Sequence, residues 1–261
     1  MTAAEPRRPG GRTLQIVLPV LVAGVLLLGW ALATRLSGSE VFPTPLEVGR
    51  GIVELARKGL LLKYVTASLF RVTIGFVGAV LVGVPLGLVL GWFERLFLAF
   101  NPIIQILRPI SPIAWIPLAI LWFGVDDRAP VFLIFLASVF PIVVSTMAAV
   151  QNIHPVYLRA AQNFGLGRPA LFRRVIFPAV LPQVLTGIRI AIGVAWLVVV
   201  AAEMIAVNSG LGYLIIDARN AGKRYDLVVA GMAIIGLIGL TLDLLIRQLE
   251  TFDEVRWGYR Q

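Results

Sequence analysis

Long stretches without a charge constrain this chain more than any motif in it. Residues 14–34 and 72–93 each run without a single Asp, Glu, Lys or Arg. A bilayer's hydrocarbon core, about 30 Å thick, is crossed by about 20 apolar residues in a helix. Inside lipid every backbone N–H and C=O must be satisfied within the protein, which a helix does locally. Over all 261 residues 59% are hydrophobic and 14% charged, whereas a soluble domain carries about 25% charged residues. These figures describe an all-α polytopic membrane protein with room for five to seven spans.

The net charge is +9. In a soluble chain that would point to nucleic acid. Here the arginines lie in the tails and between apolar runs, where anionic headgroups and partner proteins account for them better. The chain has no Cys and a single His, His154. Disulfides, thiol chemistry and Cys/His metal sites are therefore excluded. No G-x-x-x-x-G-K-[ST], H-E-x-x-H or G-x-S-x-G occurs, so nucleotide binding through a P-loop and the common hydrolase sites are excluded too.

In order, residues 1–12 read as a disordered basic tail and residues 13–261 as one membrane domain. The run 14–34 ends near Ala31-Leu32-Ala33, which mimics a signal-peptidase site. The run is longer than the 7–15 residues of a signal h-region, so it reads as the first span. The stretch 35–63 holds Val48, Ile52 and Leu55 between charges, as in an amphipathic helix on the membrane surface. The second span, from about residue 66 to 93, carries Gly75, Ala79, Gly83, Gly87 and Gly91 at intervals of four. That is a small-residue face for close helix packing, and Pro85 within it predicts a kink. Residues 96–124 contain Pro102, Pro109, Pro112 and Pro117, so this third span is broken. Irregular backbone at membrane depth is tolerated where it lines a cavity, and broken helices mark transporter routes. Spans follow at 129–153, 185–207 and 227–246, with 209–226 read as a polar loop and 247–261 as an interfacial tail.

Between the fourth and fifth spans lies NIHPVYLRAAQNFGLGRPALFRRVIFPAVLP, residues 152–182. Pro155 suits a first helical turn. Tyr157, Ala160, Ala161 and Phe164 form one apolar stripe, and Gly165 stands where a helix end favours positive φ. A second short helix is expected from Pro169 to Pro178. The whole reads as a helix–Gly–helix knuckle outside the membrane.

These residues resemble a family. Ala160-Ala161, Gly165 four positions on, and Val175-x-Phe177-Pro178 are similar to the EAA loop of permease subunits of binding-protein-dependent ABC importers. The usual Glu before the alanines is Arg159 here. RPISPIAWIPLAILWFG (108–124) and TGIRIAIGVAWLVVVAAEMI (186–205) resemble the nitrate, sulfonate and taurine permeases. The resemblance implies a coupling helix that docks on a separate ATPase through Tyr157, Arg159, Ala160, Ala161, Phe164, Gly165 and Pro178. It also implies two ATP-binding cassette subunits, a second permease copy, a solute-binding protein and a place in the inner (plasma) membrane. The chain itself would hold no cofactor, with ATP bound by the partner, and would catalyse no chemistry. The implied substrate is a small oxyanion, with a neutral heterocycle as the alternative. A secondary transporter and an intramembrane enzyme are the readings from other classes; both need buried carboxylates or a nucleophile that this sequence scarcely offers.

Six spans place both termini and the knuckle on one side. That side carries eleven Lys and Arg against nine on the other, a weak charge asymmetry, so the cytoplasmic placement rests on the resemblance. Arg108, inside the broken span, and Trp115 are expected along the translocation path, with Glu203 as a further member. At about 1.5 Å per residue, Arg71 and Glu203 fall at similar outer depth, and Arg189 and Asp243 at similar inner depth. Matching depth and opposite sign suggest two ion pairs, with snorkelling to the headgroups as the alternative.

Overall fold

The computed structural model describes residues 11–38 and 41–249. The expected tail at 1–12 lies almost wholly, and the tail from 250 onward wholly, outside the described residues. Among the described residues every regular element is helical. Five helices are long and apolar enough to span a membrane, and a sixth span arises if one bent pair is counted as one.

The first span is α1, Gly11–Ser37; its apolar stretch, residues 17–37, is almost wholly exposed within the chain. Next comes α2, Pro45–Arg57. Its start follows from sequence: Thr44 accepts from the Glu47 N–H, and Glu47 returns a carboxylate to the Thr44 N–H at 2.7 Å, a capping box. The expected amphipathic helix is present, with Val48 and Leu55 buried. They join a core with Leu214, Ala230 and Ile234 from later elements, so the apolar face expected to lie on the membrane surface packs on protein.

The longest apolar helix, α3 (Leu60–Trp92), runs unbroken through Pro85. Its small-residue face packs on α6, Arg128–Gln151. A Cβ at Gly75 would meet Ile134, at Gly83 Ile142, at Gly87 Thr146 and at Gly91 Val150. Each glycine faces the residue 59 positions later, so the two helices are parallel and in register along their length. The chain between them must therefore return across the membrane. It does so as α4 (Glu94–Leu107), a 3₁₀ turn at Pro112–Trp115 and α5 (Ile116–Phe123), with an 84° bend at the break. This is the proline-broken third span.

After α6 come the short α7 (Pro155–Asn163) and α8 (Arg168–Leu171), a π turn at Phe172–Ile176, and α9, Phe177–Ala206. The expected stop at Pro178 does not occur. Pro178 has no N–H to give, and a proline ring crowds the carbonyl one turn back. The ladder widens just ahead of it, the Phe177 N–H reaching the Phe172 carbonyl five residues back, and the helix continues. Gly187 packs on Ser145 and Pro141, so α9 runs antiparallel to α6.

The expected polar loop at 209–226 is overturned as well. Residues Leu211–Gly222 form α10, whose Leu211, Leu214, Ile215 and Ala218 are buried. It leads into α11, Tyr225–Leu249, where the Trp196 indole N–H donates to the Ile235 carbonyl at 3.1 Å.

Candidate functional site

The break in the third span builds a cavity. Arg108 caps the end of α4, its own N–H bonded to the Ile104 carbonyl at 2.9 Å. The prolines that follow cannot extend the ladder, and the chain turns into the 3₁₀ segment that carries Trp115. Arg108 and Trp115 line one cavity of about 160 Å³, together with Leu136, Phe140 and Val194. The two residues expected on the path from sequence are thus brought together. Arg108 is exposed, and among the described residues it has no carboxylate partner.

Glu203 is placed elsewhere. It is fully buried and belongs to a closed polar node, apart from the cavity that Arg108 and Trp115 line. Arg71 Nη1 reaches Glu203 Oε1 at 2.6 Å. Ser68 Oγ donates to Glu203 Oε2 at 2.9 Å, and the Gly212 N–H reaches the same oxygen at 3.0 Å. The Leu211 N–H, in turn, donates to Ser68 Oγ at 2.9 Å. Two of the unpaired donors at the start of α10 are thereby satisfied; a carboxylate there is also favoured by the helix dipole. Gly210 permits the approach: at φ +105°, a Cβ on it would sit 2.3 Å from the carboxylate carbon.

Asp127 completes the node. Arg71 donates to Asp127 Oδ1 through Nε at 2.9 Å and Nη2 at 2.6 Å. It also donates to the Ser209 carbonyl at 2.8 Å and to the Ser209 hydroxyl. A costly buried guanidinium is thus fully paired, and it joins α3, α9, the start of α10 and the loop that ends the broken span. Depth matching found Arg71 and Glu203, but gave no signal for Asp127, Ser68 or Ser209. The second expected pair is present too, with Arg189 Nη2 at 3.1 Å from Asp243 Oδ1.

A third charged group lies at the end of α2. Arg224 binds Glu54 and Asp226, each at 2.7 Å, and Lys58 binds Glu54 at 2.6 Å. Hydrogen bonds from Arg224 and Lys58 hold the Glu54 carboxyl at a pKa of about 2.

The knuckle divides its stripe between two directions. Ala161 is buried against Leu171, Ile176 and Val180, and Ala160 is half-buried. Tyr157 and Phe164, by contrast, are 58% and 85% exposed, so the expected single apolar face is split. Arg159 is exposed and Pro178 half-buried. Gly165 has φ +73°, the turn expected of it, with its N–H on the Gln162 carbonyl. His154 caps α7, its Nδ1 accepting from the Val156 N–H at 3.3 Å.

Residues 79–252 match the family described as the binding-protein-dependent transport system inner membrane component. The chain belongs to this family. It is 36% identical over 245 residues to the taurine transport system permease protein TauC of Escherichia coli (strain K12), covering 90% of this chain and 88% of that protein. It is 35% identical over 246 residues to the nitrate import permease protein NrtB of Leptolyngbya laminosa, covering 90% and 87%. A solved chain of the MetNI methionine ABC transporter, in inward-facing conformations, superposes with a TM-score of 0.65 at 16% identity, covering 77% of this chain and 97% of that one; it shares the fold. This member of the inner membrane component family is a multi-pass ABC importer permease, a transport component rather than an enzyme. Membership implies partners that bind solute and hydrolyse ATP.

Proposed function

We propose that this permease carries a small oxyanion of the nitrate, sulfonate or taurine kind. The observation that carries the reading is Arg108 at the break in the third span, beside Trp115 in the cavity wall. A cation without a carboxylate partner, set in a cavity wall where a helix breaks, favours a passing anion. The relatives named for taurine and nitrate support the same substrate class. A lone arginine holds such an ion loosely, so the solute-binding protein sets selectivity. The rest of the cavity wall is mainly apolar, which favours a neutral heterocycle as the second reading.

The assembly we propose has two copies of this chain, two ATPase subunits and the solute-binding protein. Ile103, Ile106, Leu121 and Trp122 stand exposed on the broken segment, and a second copy facing them would close the path. The knuckle, residues 155–178, faces the cytoplasm with both termini and offers Tyr157 and Phe164 to the ATPase. Arg159, Ala160, Ala161, Gly165 and Pro178 shape that contact.

The test is uptake into vesicles reconstituted with the cognate ATPase and binding protein, comparing nitrate, alkanesulfonates and taurine with neutral heterocycles. Anion uptake that falls severalfold in Arg108→Gln is expected. Uptake of neutral compounds alone would overturn the substrate class, and undiminished anion uptake in Arg108→Gln would overturn the role of Arg108.

A further inference from the structure

A groove of about 810 Å³ lies between one end of α3 and the start of the knuckle's second half. We propose that it binds one acyl chain of an anionic phospholipid, whose phosphate rests on Arg168.

One wall is Pro85, Leu88, Val89 and Trp92 of α3. These are i, i+3, i+4 and i+7, a single helix face. Seven residues span about 10 Å along the axis, some two thirds of the ~15 Å depth of one leaflet. The opposite wall is Leu171, Phe172 and Ile176. A lodged water needs two to four polar partners, and the side chains of these walls offer one at most, the Trp92 indole N–H. The other polar side chains of the lining are Gln162 and Arg168. The lining thus has an apolar trough with a cation at its polar part, the division found in a phospholipid.

The surroundings select the sign of the headgroup. Arg95, Arg168, Arg173 and Arg174 all lie at this end of the molecule and are exposed. None of the four pairs with an acid among the described residues. A guanidinium fork matches phosphate oxygens bidentately, and juxtamembrane arginines draw anionic lipid. A soluble partner docking on the knuckle cannot fill a trough that runs about 10 Å along a membrane span. The bound chain would bridge α3 and the π turn, bracing the knuckle against the membrane domain.

Trp92 forms part of the wall and serves as the reporter. Purified full-length protein in detergent is titrated with phosphatidylglycerol or phosphatidylcholine carrying brominated acyl chains, which quench nearby tryptophan. Subtracting the signal of Trp92→Phe isolates Trp92. Phosphatidylglycerol should quench it at about a tenfold lower mole fraction than phosphatidylcholine, and Arg168→Gln should abolish the preference while leaving phosphatidylcholine quenching unchanged. Native mass spectrometry reads the same site without a tryptophan variant: wild type should retain phosphatidylglycerol that Arg168→Gln loses. Equal quenching by both lipids, an unchanged preference in Arg168→Gln, or protection of Trp92 that grows with protein concentration would overturn the proposal. The last outcome would assign the groove to a second copy.

Discussion

Arg71 and Glu203 meet inside the protein at 2.6 Å, with side-chain exposures of 1% and 0%, across 132 residues of sequence. The same Arg71 also holds Asp127, whose side chain is 53% exposed. One guanidinium thus serves a carboxylate with no access to water and another that is half hydrated.

That asymmetry predicts unequal costs. Removing one partner of a buried pair costs about 3–5 kcal/mol, so Arg71→Met and Glu203→Gln should each lower the thermal midpoint of the purified protein sharply. The double variant should lose less than the sum of the two. Asp127→Asn should cost only about 0–1 kcal/mol, as half-exposed pairs do. Midpoints measured in one detergent decide the matter; strictly additive losses would reject the pair as an energetic unit.

The glycine face of α3 sets a second expectation. A Cβ on Gly87 would stand 2.6 Å from Thr146 Cβ and 2.8 Å from the Val143 carbonyl. Gly87→Val should destabilise by about 1–3 kcal/mol or more through overpacking. Gly193, in α9, has nothing within 4 Å of an added Cβ. Gly193→Ala should stabilise by about 0.4–1 kcal/mol by narrowing the unfolded ensemble. The two variants are compared by denaturation in the same micelles.

The Glu54–Arg224 contact should respond to acid. The Glu54 pKa is depressed, to about 2, mainly by the hydrogen bond from Arg224. A depressed carboxyl contributes stability above its unfolded value, near 4.3, and loses it as pH falls through the folded value. The contact should therefore hold at pH 5 and loosen between about pH 4 and 2. Because the chain has no cysteine, spin labels can be placed at Arg57→Cys and Asn220→Cys. Their distance distribution should broaden over that window, and should be broad at every pH in Glu54→Gln.

The turn at Gly165 carries the fourth expectation. Its φ of +73° costs a β-branched residue about 1–2 kcal/mol. Gly165→Val should leave the protein inserted and folded by circular dichroism but reduce transport-coupled ATP hydrolysis in the reconstituted importer. Wild-type coupling would remove the knuckle from the contact.

Much of this architecture is legible in sequence, for reasons that can be named. The four-residue spacing of glycines in α3 is a local pattern with one physical use, so it was readable. Charges within apolar runs are rare and costly, so depth and sign suggest pairing Arg71 with Glu203 and Arg189 with Asp243; the choice against snorkelling comes from the structure, where both pairs are formed. The α10 helix is harder to read although its signal is present: Leu211, Leu214, Ile215 and Ala218 are spaced i, i+3, i+4 and i+7. Asn208, Ser209, Asp217, Arg219 and Lys223 masked it by making the segment polar on average. Asp127 carried no local signal, because its partner is set by tertiary folding alone. Pro178 misled because a proline is read as a stop, whereas the widened turn before it lets the helix continue.

The parallel register of α3 and α6 has a consequence for biogenesis. The glycine face of α3 leaves the ribosome 59 residues before the side chains that fill it. At about 5–20 residues per second, that is a delay of ~3–12 s. During it the segment carrying four prolines must pass back through the bilayer. Span two therefore waits in lipid with its grooved side unmatched, and its lasting partner arrives only after the least regular part of the chain has been threaded.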